Sequence, residues 1–77
     1  MEKVAGKIKD IFVKSFHLEP EEINEEANLR NDLEMDSTEI VELVTELEKE
    51  FGIAIADDEI TTRKNVSDVV EVVRSKL

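Results

Sequence analysis

The chain has 77 residues, 40% hydrophobic and 39% charged, which suffices for one small core and predicts a single domain over residues 1–77. Its formal net charge of −10 argues against nucleic acid as a partner, because a phosphate backbone repels such a surface, and favours partners with basic surfaces. With no cysteine, tyrosine or tryptophan and a single histidine, the chain has few side chains for thiol, metal or acid–base chemistry, so we expect neither an enzyme nor a metal site.

Apolar residues at spacings of three and four predict a first amphipathic helix from Glu2 to Phe16. Its inward stripe is Val4, Ile8, Ile11, Phe12 and Phe16. The helix is expected to end near His17, which suits the negative end of the helix dipole and is assigned no site. The chain enters this periodicity without an apolar signal region, and no apolar run approaches the roughly 20 residues of a transmembrane helix. We therefore expect a cytoplasmic protein that does not insert into membranes.

A long polar connection follows from Leu18 to Met35, where the helical periodicity fails. Loops of this length are uncommon in compact domains unless they are anchored or functional. The predicted apolar anchors are Leu18, Ile23, Leu29 and Leu33. The acids of this loop lack the spacing of an EF-hand, so no specific cation site is expected among them.

The second predicted helix runs from Ser37 to Phe51, with an inward stripe of Ile40, Leu43, Val44, Leu47 and Phe51. Asp36 is the expected N-cap and Glu39 the acid of a capping box, which makes Ser37 the first helical residue. The Ser37 hydroxyl then lies at the surface beside unpaired backbone N–H groups and the positive end of the helix dipole, where an attached phosphate is favoured. Gly52 is the expected C-cap.

After the second helix, Ile53–Ala56 is predicted to be a buried connector, because a lone strand has no partner, and Asp57–Ile60 a single helical turn. Asn65, with Asp68 three residues on, opens the last predicted helix. Its inward residues are Val66, Val69, Val70, Val73 and Leu77. The predicted fold class is all-α, a small four-helix bundle of three main helices plus one short helical turn.

A combination of features extends over the whole chain. These are Asp32-Leu33 followed by Asp36-Ser37, the continuation Ile40-Val41-Glu42-Leu43, Leu47-Glu48 leading to Phe51, the Ile55-x-Asp57 connector and the valine-rich last helix. In this combination the chain resembles the acyl carrier proteins, the phosphopantetheine-dependent carrier family. The resemblance implies that Ser37 receives a covalent 4′-phosphopantetheine arm from coenzyme A, on whose thiol acyl groups are held as thioesters. It also implies a non-catalytic carrier that delivers these intermediates to enzymes of fatty acid, lipid or polyketide-type biosynthesis.

The resemblance further implies which partners and residues serve the carrier. The partners are a phosphopantetheinyl transferase and the basic surfaces of acyl-transferring, condensing or ligating enzymes, and a monomer is expected. Acids around Ser37 are expected to attract such partners over long range. The predicted recognition residues are Asp36, Thr38, Glu39, Glu42, Thr45 and Glu46, with Glu48 and Glu50 as weaker members of the acidic face. The candidates for an acyl-pocket wall, which are core residues first, are Leu47, Ile55, Ile60 and Val69.

Four positions depart from the usual pattern of the resembled family. Glycine and a small residue usually precede the aspartate, where this chain has Glu34 and Met35. Leucine usually follows the serine, where this chain has Thr38, and Thr45 replaces an apolar residue that is often methionine in fatty acid carriers. We interpret these changes as marks of a specialised carrier with its own set of enzymes.

Two other functions stay open. An aminoacyl or peptidyl carrier, including the D-alanyl type, shares Ser37 and the fold and differs in the enzyme that loads it. An acidic helical interaction domain without a prosthetic group has the same composition and differs in that Ser37 is never modified. Serine also suits a helix start in any protein, so the Asp36-Ser37 pair means little without the rest of the chain.

Overall fold

The computed structural model describes residues 2–77, which form three α-helices joined by two long connections. The helices are α1 (Glu2–Phe16), α2 (Ser37–Phe51) and α3 (Val66–Lys76). Helix α1 packs against both α2 and α3. No strand occurs within residues 2–77, so the predicted all-α class is confirmed.

The end of α1 is set by backbone geometry at His17. This residue lies in the left-handed region with φ of 58°, and the following Leu18 N–H donates to the Phe12 carbonyl at 3.4 Å. A left-handed residue directly after the last helical turn is a common way of ending a helix. The predicted end is therefore confirmed, and His17 terminates the helix through its backbone.

The predicted caps of α2 and α3 are confirmed. The Asp36 carboxylate accepts the Glu39 N–H at 2.9 Å, and the Glu39 carboxylate accepts the Asp36 N–H at 3.1 Å. Asn65 and Asp68 exchange the corresponding bonds at 3.0 and 3.1 Å at the start of α3. Gly52 ends α2 with φ of 65°, a conformation that is free of steric cost only for glycine. Both helices thus begin where reciprocal side-chain bonds satisfy their first N–H groups.

The first connection is held down by apolar residues. Ile23, Leu29 and Leu33 are buried, and Leu18 packs against the same core at partial exposure, so the predicted anchors are confirmed. The structure adds a 3₁₀ turn over Pro20–Glu22 that the sequence did not predict. The long loop is therefore part of the core rather than a free surface segment.

Two parts of the C-terminal half differ in detail from the sequence-based expectation. The prediction that Leu77 lies on the inner face of the last helix is wrong, because α3 ends at Lys76 and Leu77 is 64% exposed. The predicted helical turn at Asp57–Ile60 is one hydrogen-bonded turn, in which the Glu59 N–H donates to the Ala56 carbonyl at 3.1 Å. The bundle therefore consists of three α-helices and this turn.

Backbone hydrogen bonds join the first connection to the second. The Leu29 N–H donates to the Lys64 carbonyl and the Val66 N–H to the Ala27 carbonyl, both at 3.0 Å, and Asn28 forms an antiparallel bridge with Asn65. These bonds satisfy backbone groups at a point where two loops meet. We call the residues involved, 27–31 and 63–66, the loop clamp.

The Asn28 side chain completes the loop clamp. Its Nδ2 donates to the Arg63 carbonyl at 3.1 Å, while its Oδ1 accepts the N–H groups of Arg30 at 3.0 Å and Asn31 at 2.7 Å. One amide group thus fixes the backbone on both sides of the clamp.

The carboxylate of Glu59 fastens the second connection to α3. Its Oε2 accepts the Ala56 N–H at 2.8 Å and lies 3.0 Å from the Lys76 Nζ. These contacts, with the Ala56 hydrogen bond as the largest, hold the pKa of Glu59 below its ordinary value of 4.5.

This lowered pKa predicts a pH dependence of stability. Glu59 contributes stability that is fully present above the unfolded-state pKa and is lost as the pH falls through the lower folded-state pKa. We expect Glu59→Gln to reduce the loss of the free energy of unfolding below pH 4.5, measured by urea denaturation at a series of pH values. Glu71→Gln, which removes an exposed acid from α3, is the matched control. Equal pH profiles for Glu59→Gln and the wild type would contradict the account.

Candidate functional site

Ser37 is the first residue of α2, and its side chain is exposed. Among residues 3–77, the hydroxyls of Ser67 and Ser75 donate hydrogen bonds at 2.7 and 2.8 Å, whereas the Ser37 hydroxyl has no such bond. The capping pair next to it uses carboxylates and backbone groups and leaves this hydroxyl free. Ser37 is therefore available to an outside reagent.

An open cleft of about 440 Å³ borders Ser37. Its lining consists of Arg30, Glu34, Met35, Asp36, Ser37 and Thr62. Met35 is buried, and its N–H donates to the Leu29 carbonyl at 2.9 Å. Because the Leu29 N–H belongs to the loop clamp, the clamp positions the chain two residues before Ser37.

Glu34 occupies the place where the resembled family usually has glycine, and its backbone shows why glycine suits that place. Its φ is 57°, in the left-handed region, and its N–H donates to the Arg30 carbonyl at 3.0 Å. A residue with a Cβ pays roughly 1–2 kcal/mol in that conformation. The turn before Ser37 is therefore kept although this chain lacks the residue that adopts it most easily.

Most predicted recognition residues lie on one outward face. Thr38, Glu42 and Thr45 are exposed at helical spacings of four and three, and Asp36 is exposed just before them. The Thr45 hydroxyl donates to the Val41 carbonyl at 3.0 Å, so it is already bonded within the helix. This face combines the capping carboxylate of Asp36 and the exposed carboxylate of Glu42 with two small polar side chains.

Val41 is a surface residue that was not predicted to take part in recognition. Its side chain is 66% exposed, one helical turn after Ser37 and between Thr38 and Thr45. The sequence did indicate this exposure, because Val41 does not fall at the helical spacing of the inward stripe of α2. An apolar side chain therefore remains at the centre of the recognition face.

Other acids of α2 serve the fold or face elsewhere. Glu39 is held in the capping box, and Glu48 accepts the Ile55 N–H of the second connection at 2.8 Å. Glu50 forms an ion pair with Lys7 of α1 at 3.2 Å, and Glu46 lines a cleft beside α1. Glu46 is also exposed one helical turn after Glu42, so it lies at the edge of the face that contains Thr38 and Glu42.

The four acyl-pocket candidates, Leu47, Ile55, Ile60 and Val69, all lie in the closed core. Each is at most 7% exposed. A separate groove of about 210 Å³ between α1 and α3 is lined by other residues, including Ala5, Ile23 and Val70.

Over residues 2–77, no three histidine or carboxylate side chains come together in an arrangement that suits a metal ion. None of the described helices combines the length and apolar character needed to cross a bilayer.

Comparison with known proteins gives one family for nearly the whole chain. The family model described as the phosphopantetheine attachment site matches residues 6–73. An acyl carrier protein of Lactobacillus acidophilus is 40% identical over 74 residues, covering 96% of this chain and 92% of the relative. An acyl carrier protein of Amoebophilus asiaticus is 42% identical over 77 residues, covering 100% of this chain and 96% of the relative. One from Coprothermobacter proteolyticus is 37% identical over 76 residues, covering 99% of this chain and 93% of the relative.

Proposed function

We propose, because this chain belongs to the acyl carrier protein family, that Ser37 is the residue to which its 4′-phosphopantetheine arm is attached. The chain has no cysteine, and the arm supplies the thiol on which acyl groups are held as thioesters. The observation that supports Ser37 most strongly is its exposed, unbonded hydroxyl at the first position of α2 beside an open cleft. In this proposal the chain itself carries acyl groups and catalyses no step on them.

The residues around Ser37 suit attachment of a phosphate ester. Asp36 and Glu39 fix the start of α2 by their reciprocal bonds, so the hydroxyl is presented from a rigid turn. In the transfer, the Ser37 oxygen bonds to the β-phosphorus of coenzyme A, 3′,5′-ADP leaves with the electrons of the broken P–O bond, and a base of the transferase takes the hydroxyl proton. The ester then lies at the positive end of the α2 dipole.

The outward face of α2 is proposed to meet the transferase and the acyl-transferring, condensing or ligating enzymes. The exposed carboxylate of Glu42, together with the charge of the capping residue Asp36, attracts basic surfaces over long range and raises the rate of encounter. Val41, exposed beside Ser37, offers an apolar contact within this acidic field. Specificity then depends on the small residues next to it, Thr38 and Thr45.

The acyl chain is proposed to be sheltered between α2, the second connection and α3, where Leu47, Ile55, Ile60 and Val69 meet. These side chains are tightly packed, so an acyl chain enters only if the second connection moves outward. Two carboxylates oppose that movement, because Glu48 of α2 accepts the Ile55 N–H at 2.8 Å and Glu59 lies 3.0 Å from the Lys76 Nζ of α3.

The attachment is tested by intact mass after incubation with coenzyme A and a broad-specificity phosphopantetheinyl transferase. We expect one arm to be added to the wild type and none to Ser37→Ala, because the exposed Ser37 hydroxyl at the capped start of α2 is the proposed acceptor. Ser15→Ala is the matched control, since Ser15 is also an exposed helical serine, and it is expected to accept one arm. A mass increase that survives Ser37→Ala, or none in the wild type with several transferases, would overturn the assignment.

A second experiment tests the proposed specialisation. Replacing an apolar contact at the centre of a small interface costs about 1–2 kcal/mol, or roughly tenfold in affinity. We therefore expect housekeeping fatty acid enzymes to use the holo protein poorly, and Thr38→Leu with Thr45→Met to improve that use. The measurement is malonyl loading by a housekeeping malonyltransferase at matched holo content.

The control for this pair is Thr38→Ser with Thr45→Ser, which keeps both hydroxyls and adds no apolar surface. This variant is expected to load like the wild type. If the wild type loads as well as a fatty acid carrier and the Leu and Met variant gains nothing, the threonines are neutral and the claim of specialisation fails.

A further inference from the structure

A polar groove leads away from Ser37. The cleft beside Ser37 shares Arg30 and Thr62 with a second open cleft of about 520 Å³. That second cleft is also lined by Asn28, Asn31 and Arg63. The two clefts thus meet at Arg30 and Thr62, and we call them together the groove, whose lining extends from Ser37 to Arg63.

The loop clamp fixes the two sides of this groove. Asn28 bonds to the Arg30 N–H through Oδ1 and to the Arg63 carbonyl through Nδ2, at 3.0 and 3.1 Å. Arg30 and Arg63 lie 33 positions apart in the chain, yet a single side chain holds both of their backbones. The groove walls are thus fixed relative to each other and to Ser37.

The groove has two carboxylates near Ser37 and two arginines along its length. Glu34 and Asp36 lie with Arg30 around the cleft at Ser37, and Arg30 is the cation of that lining. Both Arg30 and Arg63 are exposed, and neither takes part in an ion pair among residues 3–77. A phosphodiester on Ser37 is repelled by the two carboxylates and attracted by the guanidinium, which binds phosphate oxygens through paired N–H donors.

We propose that the groove lined by Arg30, Thr62 and Arg63 binds the 4′-phosphopantetheine arm of the same chain, with Arg30 paired to the phosphodiester. This inference rests on the attachment at Ser37 proposed above. The amides and hydroxyl of the arm match a polar groove with hydrogen-bonding side chains, such as those of Asn31 and Thr62. The resting arm then lies along the loop clamp, and the exposed face of α2 stays free for partners.

The test compares apo and holo protein by NMR for the wild type, Arg30→Gln and Arg74→Gln. Arg74→Gln removes the same charge from an exposed position on α3 that lines a different cleft. Intact mass first establishes that each sample has one arm on Ser37. The readouts are the amide shifts of Thr62 and Arg63, the ³¹P resonance, and Overhauser contacts between the geminal methyl groups of the arm and the Thr62 methyl group.

In the wild type and Arg74→Gln, attachment is expected to shift the Thr62 and Arg63 amides and to give the methyl contacts. In Arg30→Gln, most of the amide shifts and of the methyl contacts are expected to be lost, and the ³¹P resonance is expected to move. The apo spectrum of this variant is expected to match that of the wild type away from residue 30, which shows that the fold is kept. Arg30→Lys, which keeps the charge without the paired donors, is expected to fall between them.

Two results would overturn the inference. One is a set of attachment shifts confined to residues 36–39, with no methyl contacts to Thr62, which means an arm that extends into solvent. The other is equal shifts in Arg30→Gln and Arg74→Gln, which means that Arg30 does not hold the phosphodiester. Failure to add the arm at Ser37 is detected by mass alone and refutes the proposed function together with this inference.

Discussion

The position of Ser37 depends on the backbone hydrogen bonds of Leu29. Its N–H donates to the Lys64 carbonyl at 3.0 Å, its carbonyl accepts the Met35 N–H at 2.9 Å, and its side chain is fully buried. One residue of the first connection thus joins the chain before α3 to the chain before α2. Both helix starts are thus joined through Leu29, so the backbone before Ser37 is tied to the core although Ser37 itself lies at the surface.

The carboxylates of this acidic chain have two different roles. Asp36, Glu39, Glu48 and Glu59 accept backbone N–H groups and hold helix starts or the second connection in place. Glu42 has no such bond among residues 3–77 and faces outward. The acids of this chain therefore serve local structure at some positions and only add exposed negative charge at others. Replacements of these acids will therefore differ in effect, because some remove a hydrogen bond to the backbone and others remove only a surface charge.

The helices of this fold were predictable because their signals are local. Apolar spacing gave α1, and the capping boxes at Asp36 and Asn65 gave the first residues of α2 and α3. Ser37 was found in the same way, together with the resemblance over the whole chain. Leu77 was misplaced because periodicity continues in a sequence after the helix has ended. The neighbourhood of Arg30, Thr62 and Arg63 was not predicted, since it arises from bonds between distant residues that leave no local pattern.

If Leu29 holds both helix starts to the core, the loop clamp opens only when the whole structure unfolds. Amide hydrogen exchange of the apo protein tests it directly, through the N–H groups of Leu29, Met35 and Val66. We expect their opening free energies to equal those of the core amides in α1 and α2 and the free energy of unfolding from urea denaturation. Exchange at Leu29, Met35 and Val66 through a low-energy local opening, while the helix amides stay protected, would contradict the claim that the clamp fixes Ser37.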